Sequence, residues 1–471
     1  MSGIFSSLNQ SVRALHAQSR GVETAGRNLA NVNNPDYARQ RVLFGDRGTV
    51  LTAQGAISLG LEARSTSQIR DTLLDRQLAR ELARTSSLRE EASAYAKAQA
   101  ALGESIDGTA SADSVAASGQ GLSAVVTEFF NAFQAFAARP TDLGERQNLV
   151  QRADILAERF RSTDGRLSQL QTDLDSRIQT DLTDANRLLA TIADLNAQIG
   201  RFEITAPGSA VDLRDQRQAA VEQLAAKIGA ETAPHPAAPG QLDVFVRDAA
   251  GQPIPLVTLA TVANPVSTDG TGILAGSTPV ALAGGSIHGL FAARDGAIAT
   301  LRDQVSAFAG QLGAAVNAAY NPAGTPGADF FAFDPAAPSA SLALSPGITP
   351  LTLRASDGGP AADNTLALAV SRLADHKFST AAGDLIDGSF AAYHGGLVSG
   401  LGRSVAGAEG RLEDQTGIEE LVRQQRQSVS GVSLDEEMTD LMKYQRAFQA
   451  SSRVVTVLDD LLDTVVNRLM R

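Results

Sequence analysis

Heptad repeats at both ends of the chain constrain its fold more than any other feature. Residues Ser430 to Val466 predict one helix with apolar residues at the a and d positions of a coiled coil. Ser433 and Glu436 have the spacing of a capping box, and Glu437 adds to an acidic first turn that suits a helix N-terminus. A second apolar series recurs every seven residues near the N-terminus, so we expect both ends to pack against other helices. The predicted interface residues are Leu8, Leu15, Val22, Leu29, Leu441, Tyr444, Phe448, Val455, Leu458, Leu462, Val465 and Leu469.

The middle of the chain has the apolar spacing of a mainly α-helical protein. From Leu143 to Ile199, apolar residues recur at intervals of three, four and seven, which predicts one very long helix. We therefore predict a long-helix bundle in which the N- and C-terminal coiled-coil helices pack together. The heptads alone do not separate packing within one chain from packing between chains. Further helices are predicted at residues 1–33, 68–103, 120–138, 211–228, 289–319, 363–374 and 381–430.

One internal stretch loses the helical periodicity and predicts β structure. Within residues 232–287, Pro and Gly separate short apolar runs, and Asp248 to Pro253 reads as a hairpin turn. We predict a small β domain inserted into the helical bundle, farthest from both termini. The predicted domains are a terminal coiled-coil domain (1–60 with 431–471), a helical bundle (61–231 with 288–430), the β domain (232–287) and a further β or loop element (321–360).

Composition excludes several classes of function. A formal net charge of −12 is opposite to the positive field that nucleic-acid binding needs. The absence of cysteine excludes disulfides, thiolate metal sites and cysteine nucleophiles. No apolar run reaches the length that spans a bilayer, roughly 18–20 residues. Aromatic residues make up only 5% of the chain and include no Trp, which predicts Ala, Leu and Val packing rather than aromatic-filled pockets.

The sequence shows no pattern of a catalytic, cofactor or metal site. The five histidines have neither HxH nor HExxH spacing, and no GxSxG elbow presents a serine nucleophile. The glycines between positions 395 and 410 lack the Lys-Ser or Lys-Thr pair of a phosphate-binding loop. We predict no catalytic residue, no cofactor, no metal and no enzymatic activity.

The end of the first predicted helix runs into a recognisable segment. NLANVNNPDYARQRV resembles the signature ANxNTPGYxRQ of the axial proteins of the bacterial flagellum, although Asn34 and Asp36 depart from it. The C-terminal run SGVSLDEEM, followed by YQRAFQAS, resembles the matching C-terminal signature. Two signatures at opposite ends and in the right order are more specific than either alone. The matching residues of the N-terminal signature are Asn31, Asn33, Pro35, Tyr37, Arg39 and Gln40.

Interior segments narrow the resemblance to the hook-associated subunits, which lie at the junction between hook and filament. QIRDTLLDRQLARE, GLSAVVTEFFNAFQAFAARP and DLRDQRQAAVEQLA carry it, with Gln218 standing where an acidic residue is expected. The resemblance implies a structural subunit whose terminal helices build the inner tube of the axial structure. It implies that Tyr37 belongs to the signature at the base of the subunit, while its ring and hydroxyl also suit an anchor for the turn.

The resemblance also implies partners and a location. The expected partners are further copies of the chain in a ring, the hook protein, the next hook-associated protein on the filament side, and an export chaperone at the C-terminal helix. The chain would leave the cell through the flagellar export apparatus without a cleaved signal peptide. Three alternatives remain open: another axial subunit such as a hook or distal rod protein, a peptidoglycan hydrolase fused to a flagellar segment, and a cytoplasmic coiled-coil scaffold.

Overall fold

Long helices dominate the computed structural model, which describes residues 2–52, 55–103, 121–360 and 363–464. The predicted mainly α-helical class with small β regions is confirmed. The longest predicted helix is present and extends from Leu143 to Phe202. In chain order the helices are α1 (Ser2–Ala30), α2 (Thr72–Leu102), α3 (Leu122–Ala138), α4 (Leu143–Phe202), α5 (Val211–Ile228), α6 (Ser286–Ala292), α7 (Ala299–Tyr320), α8 (Pro338–Ser341), α9 (Thr365–Ser371), α10 (Phe390–Ser430) and α11 (Leu434–Asp463).

Two predicted helices differ in their details. The helix predicted at 289–319 contains a π-helical segment, Ala293–Ile298, between α6 and α7. The helix predicted at 381–430 begins only at Phe390, because the preceding residues form a 3-10 turn, Thr380–Ala382, that ends at Gly383 with φ +99°. A left-handed backbone conformation of this kind favours glycine and interrupts a helix.

The strands form small antiparallel sheets. Strand β1 (Gln40–Asp46) pairs with β4 (Leu61–Gln68), and β2 (Thr49–Thr52) pairs with β3 (Gly55–Ser58). The predicted hairpin turn is present, because Asp248 N donates to Gln252 O at 3.0 Å between β6 and β7. The remaining strands are β5 (Glu231–Pro234), β6 (Leu242–Arg247), β7 (Pro253–Thr258) and β8 (Thr261–Val262) in one sheet, β9 (Val266–Thr268), β10 (Ile273–Ala275) and β11 (Thr278–Val280) in another, and the pair β12 (Phe331–Ala332) and β13 (Ala343–Leu344).

The chain divides into two compact units whose boundaries differ from the predicted domains. The first unit comprises residues 1–86, 181–285 and 414–471, and the second comprises 87–180 and 286–413. The β insertion at 232–287 lies almost wholly in the same unit as the terminal segments.

Side chains of α4 bind the β insertion. Asn196 Nδ2 donates hydrogen bonds to the carbonyl oxygens of Leu242 and Leu259, each at 2.7 Å. Asn186 exchanges two hydrogen bonds with the backbone of Val266, at 2.8 and 2.9 Å. The strands thus depend on α4 to satisfy their backbone groups, which ties the insertion to the helices of the first unit.

An aromatic core fills the second unit, against the expectation of mainly aliphatic packing. The ring centroids of Phe129 and Phe133 lie 5.1 Å apart, and those of Phe308 and Phe160 lie 5.3 Å apart in an edge-to-face arrangement. Composition averages over the whole chain, whereas the fold gathers rings from distant segments. The fully buried aromatic residues are Phe129, Phe133, Phe136, Phe160, Phe308, Tyr320, Phe330, Phe331 and Phe390.

Candidate assembly interface

Helices α1 and α11 pack against each other in antiparallel orientation. Asn28 near the end of α1 contacts Glu437 at the start of α11, and Gly21 faces Tyr444 one heptad further along. The approach is close, since a Cβ atom at Gly21 would lie 2.7 Å from the Tyr444 ring. Phe44 of β1 contacts the same ring, with centroids 5.9 Å apart.

The predicted heptad residues lie on one face of each helix of this pair. Leu8, Leu15, Val22 and Leu29 are partly buried, in contrast to exposed residues of α1 such as His16. Val465 and Leu469 lie outside the described residues. The heptad residues of α11 that the structure describes are also partly buried: Leu441, Tyr444, Phe448, Val455, Leu458 and Leu462.

A second apolar stripe on α11 points away from this face. The heptad pattern does not predict it. Its members are about half exposed, from 45% at Met438 to 58% at Val457. They form two groups, one on each side of a twelve-residue gap between Met442 and Val454, and within each group the spacing is three or four, as expected for one face of a helix. We call it the outer stripe: Leu434, Met438, Met442, Val454, Val457 and Leu461.

Asn28 organises the signature loop between α1 and β1. Its Nδ2 donates to Gln40 O at 2.8 Å and to Glu437 Oε2 at 3.0 Å. Its Oδ1 accepts from Tyr37 Oη at 2.8 Å and from Gln40 N at 3.0 Å. Asn28 and Glu437 are 1% and 2% exposed, so these contacts satisfy buried polar groups. Heptad periodicity does not predict these roles of Asn28 and Glu437.

Arg39 ties the two signature segments together. Its Nε donates to Glu437 Oε1 at 2.7 Å and its Nη1 to Glu436 Oε2 at 2.5 Å, and Asp440 lies 3.8 Å from Nη2. The predicted capping box is wrong, because Ser433 is the N-cap residue of α11 but its side chain makes no capping hydrogen bond. Glu436 is bonded to Arg39 instead.

The remaining signature residues shape the turn. Asn31 Nδ2 donates to Arg27 O at 3.0 Å and so covers a carbonyl at the end of α1. Asn33 and Pro35 are exposed, and the Pro35 carbonyl accepts from Arg426 Nη2 at 3.3 Å. Tyr37 is partly buried, and burial, reinforced by nearby carboxylates, raises its pKa, which keeps the hydroxyl a donor to Asn28.

Helix α5 anchors the signature loop from a third direction. Ala38 N donates to Asp215 Oδ2 at 3.4 Å, and Gln40 Nε2 donates to Asp212 Oδ1 at 2.9 Å. Arg70 binds Asp215 at 2.7 Å and Asp75 at 3.1 Å. The interior DLRDQR segment therefore supplies carboxylates that hold the loop in place.

Burial shifts the pKa values of two carboxyl groups in this ionic network. Burial raises the pKa of Asp215 to about 6 against the opposing effect of Arg70. Burial also raises the pKa of Glu222, which pairs with Arg426 at 2.5 Å. Such pairs hold a fixed geometry because separating one partner leaves an uncompensated buried charge.

The described residues contain no group of three or more His, Cys, Asp or Glu side chains arranged to hold a metal ion. Among the helices of the described ranges, none is both long and apolar enough to cross a membrane. The glycines between positions 395 and 410 lie within α10, where they form no phosphate-binding loop.

Comparisons with known proteins agree with this arrangement. Residues 111–331 match the family described as the flagellar hook-associated protein FlgK helical domain. Residues 423–469 match the family described as the flagellar basal body rod FlgEFG protein C-terminal. The paired terminal helices, the signature loop and these matches define an axial protein of the bacterial flagellum.

Individual relatives show which of the axial proteins this chain is most informatively compared with. Flagellar hook-associated protein 1 of Bacillus subtilis (strain 168) is 26% identical over 525 aligned residues, covering 99% of this chain and 99% of that protein. The protein of the same name from Salmonella typhimurium is 25% identical over 225 residues, covering 48% of this chain and 38% of that protein. The chain is a homologue of flagellar hook-associated protein 1.

A solved structure supports the fold. The flagellar hook junction protein FlgK from Burkholderia pseudomallei matches with a TM-score of 0.61 at 16% identity, covering 75% of this chain and 100% of that chain.

Proposed function

We propose that this chain is a structural subunit of the bacterial flagellum that forms the junction between hook and filament and allows the filament to assemble. The observation that carries the proposal is the match to hook-associated protein 1 along 99% of both chains. The alternative, a hook or distal rod protein, is disfavoured by the match of residues 111–331 to the family described as the flagellar hook-associated protein FlgK helical domain. The chain performs no catalysis in this role.

The terminal helix pair is the proposed polymerising element. The heptad residues Leu441 to Leu462 fix α11 on α1, and the exposed outer stripe is left for neighbouring copies in a ring. Burying apolar area of this kind is the usual source of association energy. The neighbours along the axis are the hook protein on one side and the next hook-associated protein on the other.

Export precedes assembly in this proposal. The chain reaches the extracellular junction without a cleaved signal peptide, and an export chaperone covers the C-terminal helix on the way. The half-exposed apolar stripe of α11 supports the need for such a cover, since exposed apolar patches promote aggregation.

The test is complementation of a strain that lacks the corresponding gene. Wild-type protein should restore filaments, and mass spectrometry of sheared flagella should find it there. Without it, cells should carry complete hooks and release filament protein into the medium. Cells that stop before completing a hook would instead indicate a rod or hook subunit.

Point variants test the proposed interface. Met442→Asp places a charge in the outer stripe and should abolish filament attachment while the purified monomer keeps its helical circular dichroism. The matched control is Gln445→Asp, which changes an exposed polar residue of the same helix. Cells that carry this control variant should swim. Phe448→Asp should fail as well, but with loss of the α1–α11 pairing in the monomer. If cells that carry Met442→Asp swim normally, the outer stripe is not part of the interface.

A further inference from the structure

A charged cavity of about 340 Å³ lies within the first unit, apart from the terminal helix pair. Its walls come from the end of β4, the start of α2, helix α5 and the segment that leads into β6. Three arginines line it, Arg70, Arg214 and Arg217, whereas Asp75 is the only acidic residue among its described lining residues. The lining therefore holds more arginine side chains than carboxylates.

Arg217 is the arginine of this lining that has no carboxylate partner among the described residues. It is 5% exposed, and its Nη1 donates to Asn196 Oδ1 at 2.8 Å and to Gly240 O at 2.7 Å. Its buried Nε has no acceptor. No carboxylate oxygen of the described residues lies within salt-bridge distance of its guanidinium. A buried charge without a counter-charge is costly, and proteins rarely leave one uncompensated.

The other two arginines are already neutralised. Arg70 binds Asp75 and Asp215, and Arg214 forms a two-point contact with Glu203 at 2.7 and 2.6 Å. Burial, together with the positive charge of Arg214, lowers the pKa of Arg217 to about 10. Arg217 is thus the cation that a bound anion would compensate.

We propose that this cavity binds an oxyanion of carboxylate or phosphate chemistry, with the Arg217 guanidinium as its main contact. A planar guanidinium with free donors matches the oxygen pairs of carboxylates and phosphates. The anion comes either from solution or from an acidic side chain of another subunit. The proposal is independent of where the chain sits in the flagellum, because it rests on the buried and incompletely bonded guanidinium of Arg217 inside one unit.

Calorimetric titration of the full-length chain tests the proposal. The probes are inorganic phosphate, citrate and the blocked dipeptide Ac-Glu-Glu-NH2, each at constant ionic strength against chloride. We expect saturable binding at one site per chain and a rise in Tm of about 2–4 °C at high probe concentration. Tighter binding of the dipeptide than of phosphate assigns the anion to a side chain, and the reverse order assigns it to solution.

Variants separate this site from general salt effects. Arg217→Gln should weaken binding about tenfold or more, whereas Arg201→Gln, an exposed arginine at the end of α4, should bind as wild type does. Gln241→Glu adds a carboxylate to the cavity wall without removing Arg217, and it should weaken binding to a similar extent even if Arg217→Gln fails to fold. Absence of saturable binding to the wild type, or equal binding by Gln241→Glu, would overturn the proposal.

Discussion

The aromatic core of the second unit and the terminal helix pair differ in how far they bury the side chains that hold their helices together. The core buries nine aromatic side chains completely, and four rings surround one of them, Phe129. Among the described residues of α11, only Glu437 is fully buried, and the large apolar residues of its heptads are only partly covered. Small residues of α1, such as Ala17 and Gly21, occupy the covered positions.

This contrast has a functional meaning. Stability from apolar burial grows with the area removed from water, about 25 cal/mol per Å². The second unit completes its burial within one chain, whereas the terminal pair leaves its outer stripe uncovered. We infer that the pair depends on neighbouring copies for full stability and that the second unit does not.

The largest expected effect is loss of a ring from the aromatic core. Phe129→Ala should destabilise the second unit by about 3–5 kcal/mol, because the surrounding rings collapse only partly into the space. Urea unfolding followed by circular dichroism measures it. Phe202→Ala, at a 62% exposed phenylalanine, is the control and should change stability by less than about 0.5 kcal/mol. Equal losses in the two variants would contradict the assignment of the core.

A smaller loss is expected from the polar centre of the signature loop. Asn28→Ala removes the partners of Tyr37, Gln40 and Glu437 at once and should cost about 2–3 kcal/mol. Hydrogen exchange should show faster opening of α1 and α11 with little change in the second unit. Asn33→Ala, at an exposed position of the same loop, should leave exchange unchanged. Faster exchange to the same extent throughout the chain would argue against a local role of Asn28.

Two glycines of α1 offer a test with opposite signs. Gly21→Ala places a Cβ atom 2.7 Å from Tyr444 and should destabilise the helix pair by about 1–3 kcal/mol. Gly26→Ala meets no atom within 4 Å and should stabilise α1 by about 0.5–1 kcal/mol. Thermal unfolding of the two variants measures both effects. A gain in stability for Gly21→Ala would show that α1 and α11 pack less closely.

A further expected effect is a pH dependence from the buried ionic network. The folded-state pKa of Asp215, about 6, exceeds its ordinary value of 3.8, so the folded chain binds this proton more tightly than the unfolded chain. The stabilisation from Asp215 is therefore present at low pH and is lost as pH rises from about 4 to about 6. Asp215→Asn should flatten this part of a Tm-against-pH profile.

The control for the pH profile is an exposed carboxylate of the same unit. Asp194→Asn changes a residue bonded to Gln198 on the surface of α4, and its profile should follow the wild type. A wild-type slope retained in Asp215→Asn would assign the pH dependence to other groups.

The sequence alone determined the features that depend on local spacing. Apolar intervals predicted the helix that spans Leu143 to Phe202, and Pro and Gly placed the strands of the β insertion. Two terminal signatures identified the class of protein. These predictions succeeded because helix periodicity and turn chemistry are read from neighbours in the chain.

Only the tertiary structure decided which distant residues meet. It bonded the β insertion to Asn186 and Asn196 of α4, and it directed Glu436 to Arg39 instead of to a capping box. It also revealed Asn28 as the centre of the signature loop. Such choices depend on which buried polar groups find partners across hundreds of residues of chain, and periodicity carries no information about that.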